Sequence, residues 1–223
     1  LNNAPQEKDY TLLGDVLGKI AQSKQYLDAM DLDTAYAKQT YAALEKMAWD
    51  GVLAHKDSGD VQRRWFGLYV SLASSPEALA RLAGILDGKV DVAGLQVSQE
   101  LRWSIIAHLN RYNHAGADKL VALESARDKS DAGQVAAVAA TAIRPDPKVK
   151  AEWVQRIEDL KSPLPFSRIR TAMGSVFPAE QGQLSEADAD ARLARLPAID
   201  KAAGPVYMRA YATTMIPTAC TPH

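Results

Sequence analysis

A chain of 223 residues with 47% hydrophobic residues can bury a full core, which excludes a disordered segment. Its 26 Lys and Arg against 27 Asp and Glu leave a formal net charge of -1, so no broad field draws it to a nucleic-acid backbone or an anionic membrane. Cys220 is the one cysteine, which excludes an intrachain disulfide, and no apolar run approaches the roughly 20 residues that span a bilayer. Alanine is abundant, while Val and Ile rarely alternate with polar residues; this favours helix over sheet, because Ala loses no side-chain entropy in a helix. The opening Leu1-Asn2-Asn3-Ala4-Pro5 is neither an initiator methionine nor a signal peptide. The chain is therefore expected to be cut from a longer one, with the compartment, cytoplasmic or periplasmic, set by sequence upstream.

Asp9 is placed as the N-cap of a first helix carrying Leu12, Leu13, Val16, Leu17 and Ile20 at helical spacing. Lys24 to Met30 reads as a second, short helix. Asp33 is placed as the cap of a longer one, with Ala37, Tyr41, Leu44, Ala48 and Val52 on one face. A polar loop from Lys56 to Gly59 leads to a helix from Val61 to Ala73, striped by Val61, Trp65, Leu68 and Leu72. Ser75-Pro76-Glu77 is a helix start with Pro in the first turn. Leu79, Leu82, Ala83 and Leu86 form its buried face and Gly88 its stop. Asp91 to Gln96 is a loop carrying Gly94. Ser98 and Leu101 open a helix with Leu101, Ile105, Leu109 and Tyr112 on one side, ended by Asn113 and Gly116.

Leu120 and Leu123 mark another short helix. Ser130 or Asp131 caps an Ala-rich helix through Ile143, closed by Arg144-Pro145. Asp146-Pro147 starts the helix of Trp153, Val154, Ile157 and Leu160. Ser162-Pro163-Leu164-Pro165 breaks the chain before the stripe of Ile169, Met173 and Val176. Gly182 to Ser185 is expected to be loop and Ala187 to Leu196 helix. Pro205 opens the last helix, with Met208, Tyr211, Ala212 and Met215 inside, and Pro217 and Pro222 bound a tail. The pattern predicts an all-α fold of about a dozen helices with short connections. A loose spacing of roughly 40 residues per helix pair suits a superhelical array of paired antiparallel helices, HEAT- or armadillo-like, as a single domain over residues 1–223.

Catalytic constellations are sparse. A zinc peptidase needs two His one helical turn apart with a Glu beside the first; His108 and His114 are six apart, and His55 and His223 stand alone. Asp28, Asp31 and Asp33 cluster, but a calcium loop counted from Asp31 would put Tyr36 where glycine is needed, so capping and solvent exposure are expected. Cys220 and His223 lie in a Pro-rich terminus with no orienting carboxylate. Gly88-Lys89 is followed by Val90 rather than the Ser or Thr of a phosphate loop. Arg63-Arg64 and Arg168-Ile169-Arg170 are the tightest basic pairs. They read as solvated helix faces or ion-pair partners, or alternatively as forks for a carboxylate. Trp49, Trp65, Trp103 and Trp153 are each expected in the core.

From Leu101-Arg102-Trp103 onward the sequence resembles a known family. Gly94-Leu95, the Asp128…Ser130…Gly133 segment, Ala136 to Ala142, Pro145 and Lys150-Ala151-Glu152-Trp153 resemble the C-terminal helical domain of aminopeptidase N-type zinc aminopeptidases, the bacterial members above all. Leu164-Pro165…Ile169 and Ile216-Pro217…Cys220 resemble the closing segments of that family. The chain departs from it at Phe166, where the family often has Asn, and in lacking an aromatic pair after Leu184. The resemblance implies a non-catalytic α-helical superhelix over a thermolysin-like catalytic domain of the same polypeptide. It implies no cofactor in this chain, with zinc in that upstream domain, and a role in enclosing the peptide cavity and limiting access to it. In some relatives basic residues here hold the far carboxylate of the peptide; Arg168 and Arg170 are the candidates the resemblance offers. Two rival readings are a free-standing helical-repeat scaffold that binds a protein or peptide, and a helical enzyme using Cys220.

Overall fold

The computed structural model describes residues 4–7, 9–28 and 35–217. Every regular element among them is helical, and the chain divides into two compact units, Leu1–His108 and Leu109–His223. No helix among the described residues is long and apolar enough to cross a membrane.

The first unit holds α1 (Tyr10–Asp28), α2 (Ala35–Ala54), α3 (Gly59–Leu72), α4 (Pro76–Leu86) and most of α5 (Gln99–Arg111). Asp9 caps α1 as expected: its Oδ1 accepts from the amides of Thr11 and Leu12, both at 2.9 Å. The helix then runs unbroken through Asp28, so the short helix predicted from Lys24 is its last turns, tied by an ion pair between Lys24 and Asp28 at 2.8 Å. Met30 and Asp33 lie outside the described residues. Leu13, Leu17, Ile20 and Leu27 are buried, whereas Leu12 and Val16 of the predicted stripe are exposed. Both sets fit a helical period, and the packing of α1 against α3 selects one of them.

α3 also packs against α2 and contributes Trp65, Phe66, Tyr69 and Leu72, all fully buried. Gly51 makes the α2–α3 contact close: a Cβ there would stand 2.3 Å from the Trp65 ring. Gln62, buried on α3, donates to the carbonyls of Val52 at 3.1 Å and Ala93 at 2.8 Å, which fastens the 91–96 loop. Gly94 turns that loop at φ +82° with its Cα against the Lys56 carbonyl, a position closed to any side chain. Ser75 caps α4, accepting from Ala78 N at 3.2 Å, with Pro76 in the first turn.

The second unit contains α6 (Ala117–Arg127), α7 (Asp131–Ala142), α8 (Pro147–Glu158), α9 (Phe166–Met173), a 3-10 turn (Ala179–Gln181), α10 (Gly182–Ala202) and α11 (Pro205–Thr214). Its core gathers Trp153, Ile157, Ile169, Met173, Val176 and Tyr211. Ser130 is the cap of α7, accepting from Gly133 N at 3.0 Å. Asp146 caps α8, accepting from Lys148 N at 2.9 Å.

Four expectations need correction in this unit. Gly116 does not end α5, which stops at Arg111; it takes the position before α6 at φ +80°. Leu123 of α6 is exposed and Leu120 half-buried, while Ala117 and Glu124 are buried; two leucines alone could not choose the face. Leu160 lies beyond the end of α8 and is exposed. The segment from Gly182 to Ser185 is helix rather than loop. Gly182 and Ser185 are both buried, and Ser185 Oγ donates to the Gly182 carbonyl at 3.1 Å, so burial outweighs the weak helix propensity of glycine.

Gly51→Ala should therefore lower stability by about 1–3 kcal/mol through overpacking against Trp65. Gly67→Ala, on an exposed position of α3 with nothing within 4 Å, should raise it by about 0.5–1 kcal/mol. Urea midpoints of the two variants read the contrast.

Candidate functional site

Among the described residues a cavity lies within each unit. In the first, α2, α3 and the start of α4 enclose a cavity of 340 Å³, lined in part by Glu45, Lys46, Trp49, Tyr69, Glu77 and Arg81. Glu45 forms its floor: Oε1 accepts from the amides of Ser74 at 2.5 Å and Ser75 at 2.8 Å, and Oε2 accepts from Ser75 Oγ at 2.7 Å. These donors satisfy the hydrogen-bonding capacity of the carboxylate where it is buried. Arg81 stands at the wall, its Cζ 4.5 Å from the Trp49 ring centroid. Arg81 Nη1 donates to the Tyr69 hydroxyl at 2.9 Å and Nη2 to Glu77 Oε1 at 2.7 Å. Burial pushes the Tyr69 phenol above its ordinary value, against the opposing hydrogen bond from Arg81.

In the second unit a cavity of 380 Å³ lies between the starts of α9 and α11, with Leu164, Phe166, Ile169, Val206 and Tyr207 among its walls. The rings of Phe166 and Tyr207 are 5.4 Å apart, and the Tyr207 hydroxyl donates to the Ile157 carbonyl. Burial, with Glu158 and Asp159 nearby, pushes that phenol up to about 12. Tyr211 donates to Glu158 Oε1 at 2.6 Å and is raised further, by burial first and by Glu158 second. Glu158 also meets Arg192 Nε and Arg195 Nε, each at 3.3 Å.

A third feature is a buried polar knot. Lys150, 4% exposed, donates from Nζ to the carbonyls of Ala142 and Ile143 at 3.3 Å each. Gln181 donates to the carbonyls of Ile143 and Arg111, both at 2.9 Å. Arg111 grips Glu180 with both ends of its fork, Nη2 at 2.8 Å from Oε2. Burial lowers the Lys150 ammonium to about 8; Glu180 opposes the shift and Arg111 adds to it. Residue patterning gave no sign of this group. The resemblance pointed at Lys150, but as a spaced structural residue.

The two residues expected to bind substrate are not brought together. Arg168 lies 22% exposed with Nη2 at 3.2 Å from Asp131 Oδ1, and its Nε is buried without a hydrogen-bond partner. Arg170, two positions on, is exposed, as helical spacing requires. Arg63 pairs with Asp60, and Arg64 stacks 3.8 Å from the Tyr10 ring centroid. His55 Nδ1 lies 2.8 Å from the Gly51 carbonyl, and His108 Nε2 meets the Ala73 carbonyl. Asp28 is held by Lys24 and the Tyr41 hydroxyl. Asp31, Asp33, Cys220 and His223 lie outside the described residues. Trp65, Trp103 and Trp153 are core residues as expected, whereas Trp49 is half-buried and faces a cavity. Among the described residues no three His, Cys, Asp or Glu come together to hold a metal.

The described residues form an all-helical fold. A family model described as the ERAP1-like C-terminal domain matches residues 1–222, and the chain belongs to that family. Aminopeptidase N of Streptomyces lividans is 32% identical over 149 residues, covering 65% of this chain and 17% of that protein. The match spans less than a fifth of the length of that relative, and the chain is a C-terminal domain of an aminopeptidase N-type enzyme.

The lowered Lys150 sets a pH dependence. Between about 8 and its ordinary 10.5 the unfolded chain holds one more proton than the folded one, so stability rises with pH through that window. Below it the buried charge costs up to about 3 kcal/mol. Lys150→Met should raise stability at pH 7 by about 1–2 kcal/mol once the lost carbonyl contacts are counted, and should flatten the rise between pH 8 and 10.5. Thermal melts across pH 7 to 10.5 check both.

Proposed function

We propose that the two units act together as a single non-catalytic domain over residues 1–223, a HEAT-like superhelix of paired antiparallel helices. In this reading it is the C-terminal part of a zinc metallo-aminopeptidase that releases N-terminal amino acids from peptides. The observation that carries the reading is the family match across residues 1–222, joined by the similarity to an aminopeptidase N. Its partners are the upstream catalytic domain of the same polypeptide and the peptide substrate. That domain holds the zinc, which supplies a metal-activated water for hydrolysis. The helical wall encloses the substrate cavity and limits which peptides enter, leaving binding of the reacting amide to the neighbouring domain.

Of the two candidate arginines, Arg168 is the better placed to meet a substrate carboxylate. Its fork is held at one end by Asp131, whose side chain is 82% exposed. An exposed partner is exchanged for a ligand carboxylate at little cost. Arg170 is exposed and would act at longer range.

Two measurements test the proposal. The purified chain with zinc should not turn over an aminoacyl chromogenic amide; turnover that a chelator abolishes would overturn the non-catalytic reading. In the parent polypeptide Arg168→Gln should raise KM roughly 5–20-fold for peptides with a free C-terminal carboxylate. Peptides ending in an amide should be unaffected, and an equal effect on both would remove Arg168 from the substrate path.

A further inference from the structure

The cavity of the first unit carries charges of both signs at separate places on its wall, beside an aromatic and aliphatic surface. Arg81 is fixed on three counts. It stacks on Trp49 with Cζ 4.5 Å from the ring centroid, it donates to the Tyr69 hydroxyl at 2.9 Å, and it pairs with Glu77 at 2.7 Å. The first two contacts are to a half-buried and a fully buried ring. The third is to a carboxylate whose side chain is 81% exposed. Such an i,i+4 surface pair contributes little, so Glu77 occupies the Arg81 fork without owning it. Lys46 adds a second cation to the lining, paired with the exposed Asp50 at 2.5 Å. Glu45 beneath is already supplied by the Ser74 and Ser75 donors and does not compete for a cation.

We propose that this cavity binds a free α-amino acid with an apolar side chain. The ligand carboxylate accepts from Arg81 Nη2 in place of Glu77. The displaced Glu77 carboxylate then accepts from the ligand ammonium, so one surface ion pair is exchanged for two to the ligand. The side chain lies against Ala42, Ala78 and Trp49, which line the same space. A simple anion would leave Glu77 facing it with like charge, and a simple cation would face Arg81; a zwitterion answers both. A volume of 340 Å³ falls at the small end of ligand cavities and suits one amino acid rather than a stretch of peptide. The binding claim rests on this cavity. That the ligand is also what the parent enzyme releases, making the site a sensor of product, rests on the aminopeptidase reading.

The test is a titration of the 223-residue chain followed by the Trp49 indole resonance, assigned by its loss in Trp49→Phe. L-leucine should give a saturable shift. Leucinamide, which lacks the carboxylate, and N-acetyl-leucine, which lacks the ammonium, should each bind at least tenfold more weakly. Arg81→Gln should abolish the leucine shift. Glu77→Gln, on an exposed side chain that the fold does not need, should bring leucine and N-acetyl-leucine to equal affinity. The absence of a saturable shift would overturn the proposal. So would leucinamide binding as tightly as leucine, or a Glu77→Gln variant that still prefers leucine tenfold. None of these readouts requires peptidase activity. Loss of the parent activity with binding intact would remove only the product-sensor role, and binding lost with activity intact would remove only the site.

Discussion

The carbonyl of Ile143 receives two donors from different parts of the chain, the ammonium of Lys150 on α8 and the side-chain amide of Gln181 before α10. It sits where α7 runs out of intrahelical partners, and unsatisfied carbonyls at a buried helix end are expensive. Gln181 uses its second proton on the Arg111 carbonyl at the end of α5, and the neighbouring Glu180 holds the Arg111 guanidinium. Three helix ends and a 3-10 turn are therefore fixed by one connected set of polar atoms. The apolar core of Trp153, Ile157, Ile169 and Met173 fills the space that this arrangement defines. A cation placed at the negative end of α7 is favourable, which offsets part of the desolvation that lowers Lys150.

Buried charge is handled in two further ways elsewhere. Glu45 takes its donors from the backbone and hydroxyls of Ser74 and Ser75, so the start of α4 is fastened to α2 by one carboxylate. Glu158 instead draws in Tyr211, Arg192 and Arg195 across α8, α10 and α11. In each case the polar groups are spent on holding helices together. Arg81 and Arg168 are instead partnered by exposed carboxylates, Arg81 by Glu77 and Arg168 by Asp131.

Local signals in the sequence were reliable because their physics is local. Asp9, Ser75, Ser98, Ser130 and Asp146 all cap the helices they precede, since a cap needs only an amide two or three residues on. What tertiary contact decides was not legible. Leu12 and Leu13 fit the helical period equally well, and only the neighbour α3 makes one of them core. Gly182 looks like a loop residue until the buried Ser185 beside it is seen. The family resemblance supplied the domain and its place in a larger enzyme, which no spacing of residues could have given. It also supplied Arg168 and Arg170, whose side chains the helix separates. The Glu77 and Arg81 spacing was present in the sequence as an ordinary i,i+4 pair; nothing there showed Trp49 and Tyr69 closing a cavity around it.

The seat of Trp65 against Gly51 bears on how the first unit can move. Sliding α3 by one turn along α2 towards its start would bring the indole opposite Met47, which carries the Cβ that Gly51 lacks. A shift of that size would forfeit the notch that seats the indole. The register between the two helices is thereby keyed to Gly51, whose missing Cβ leaves room for the indole.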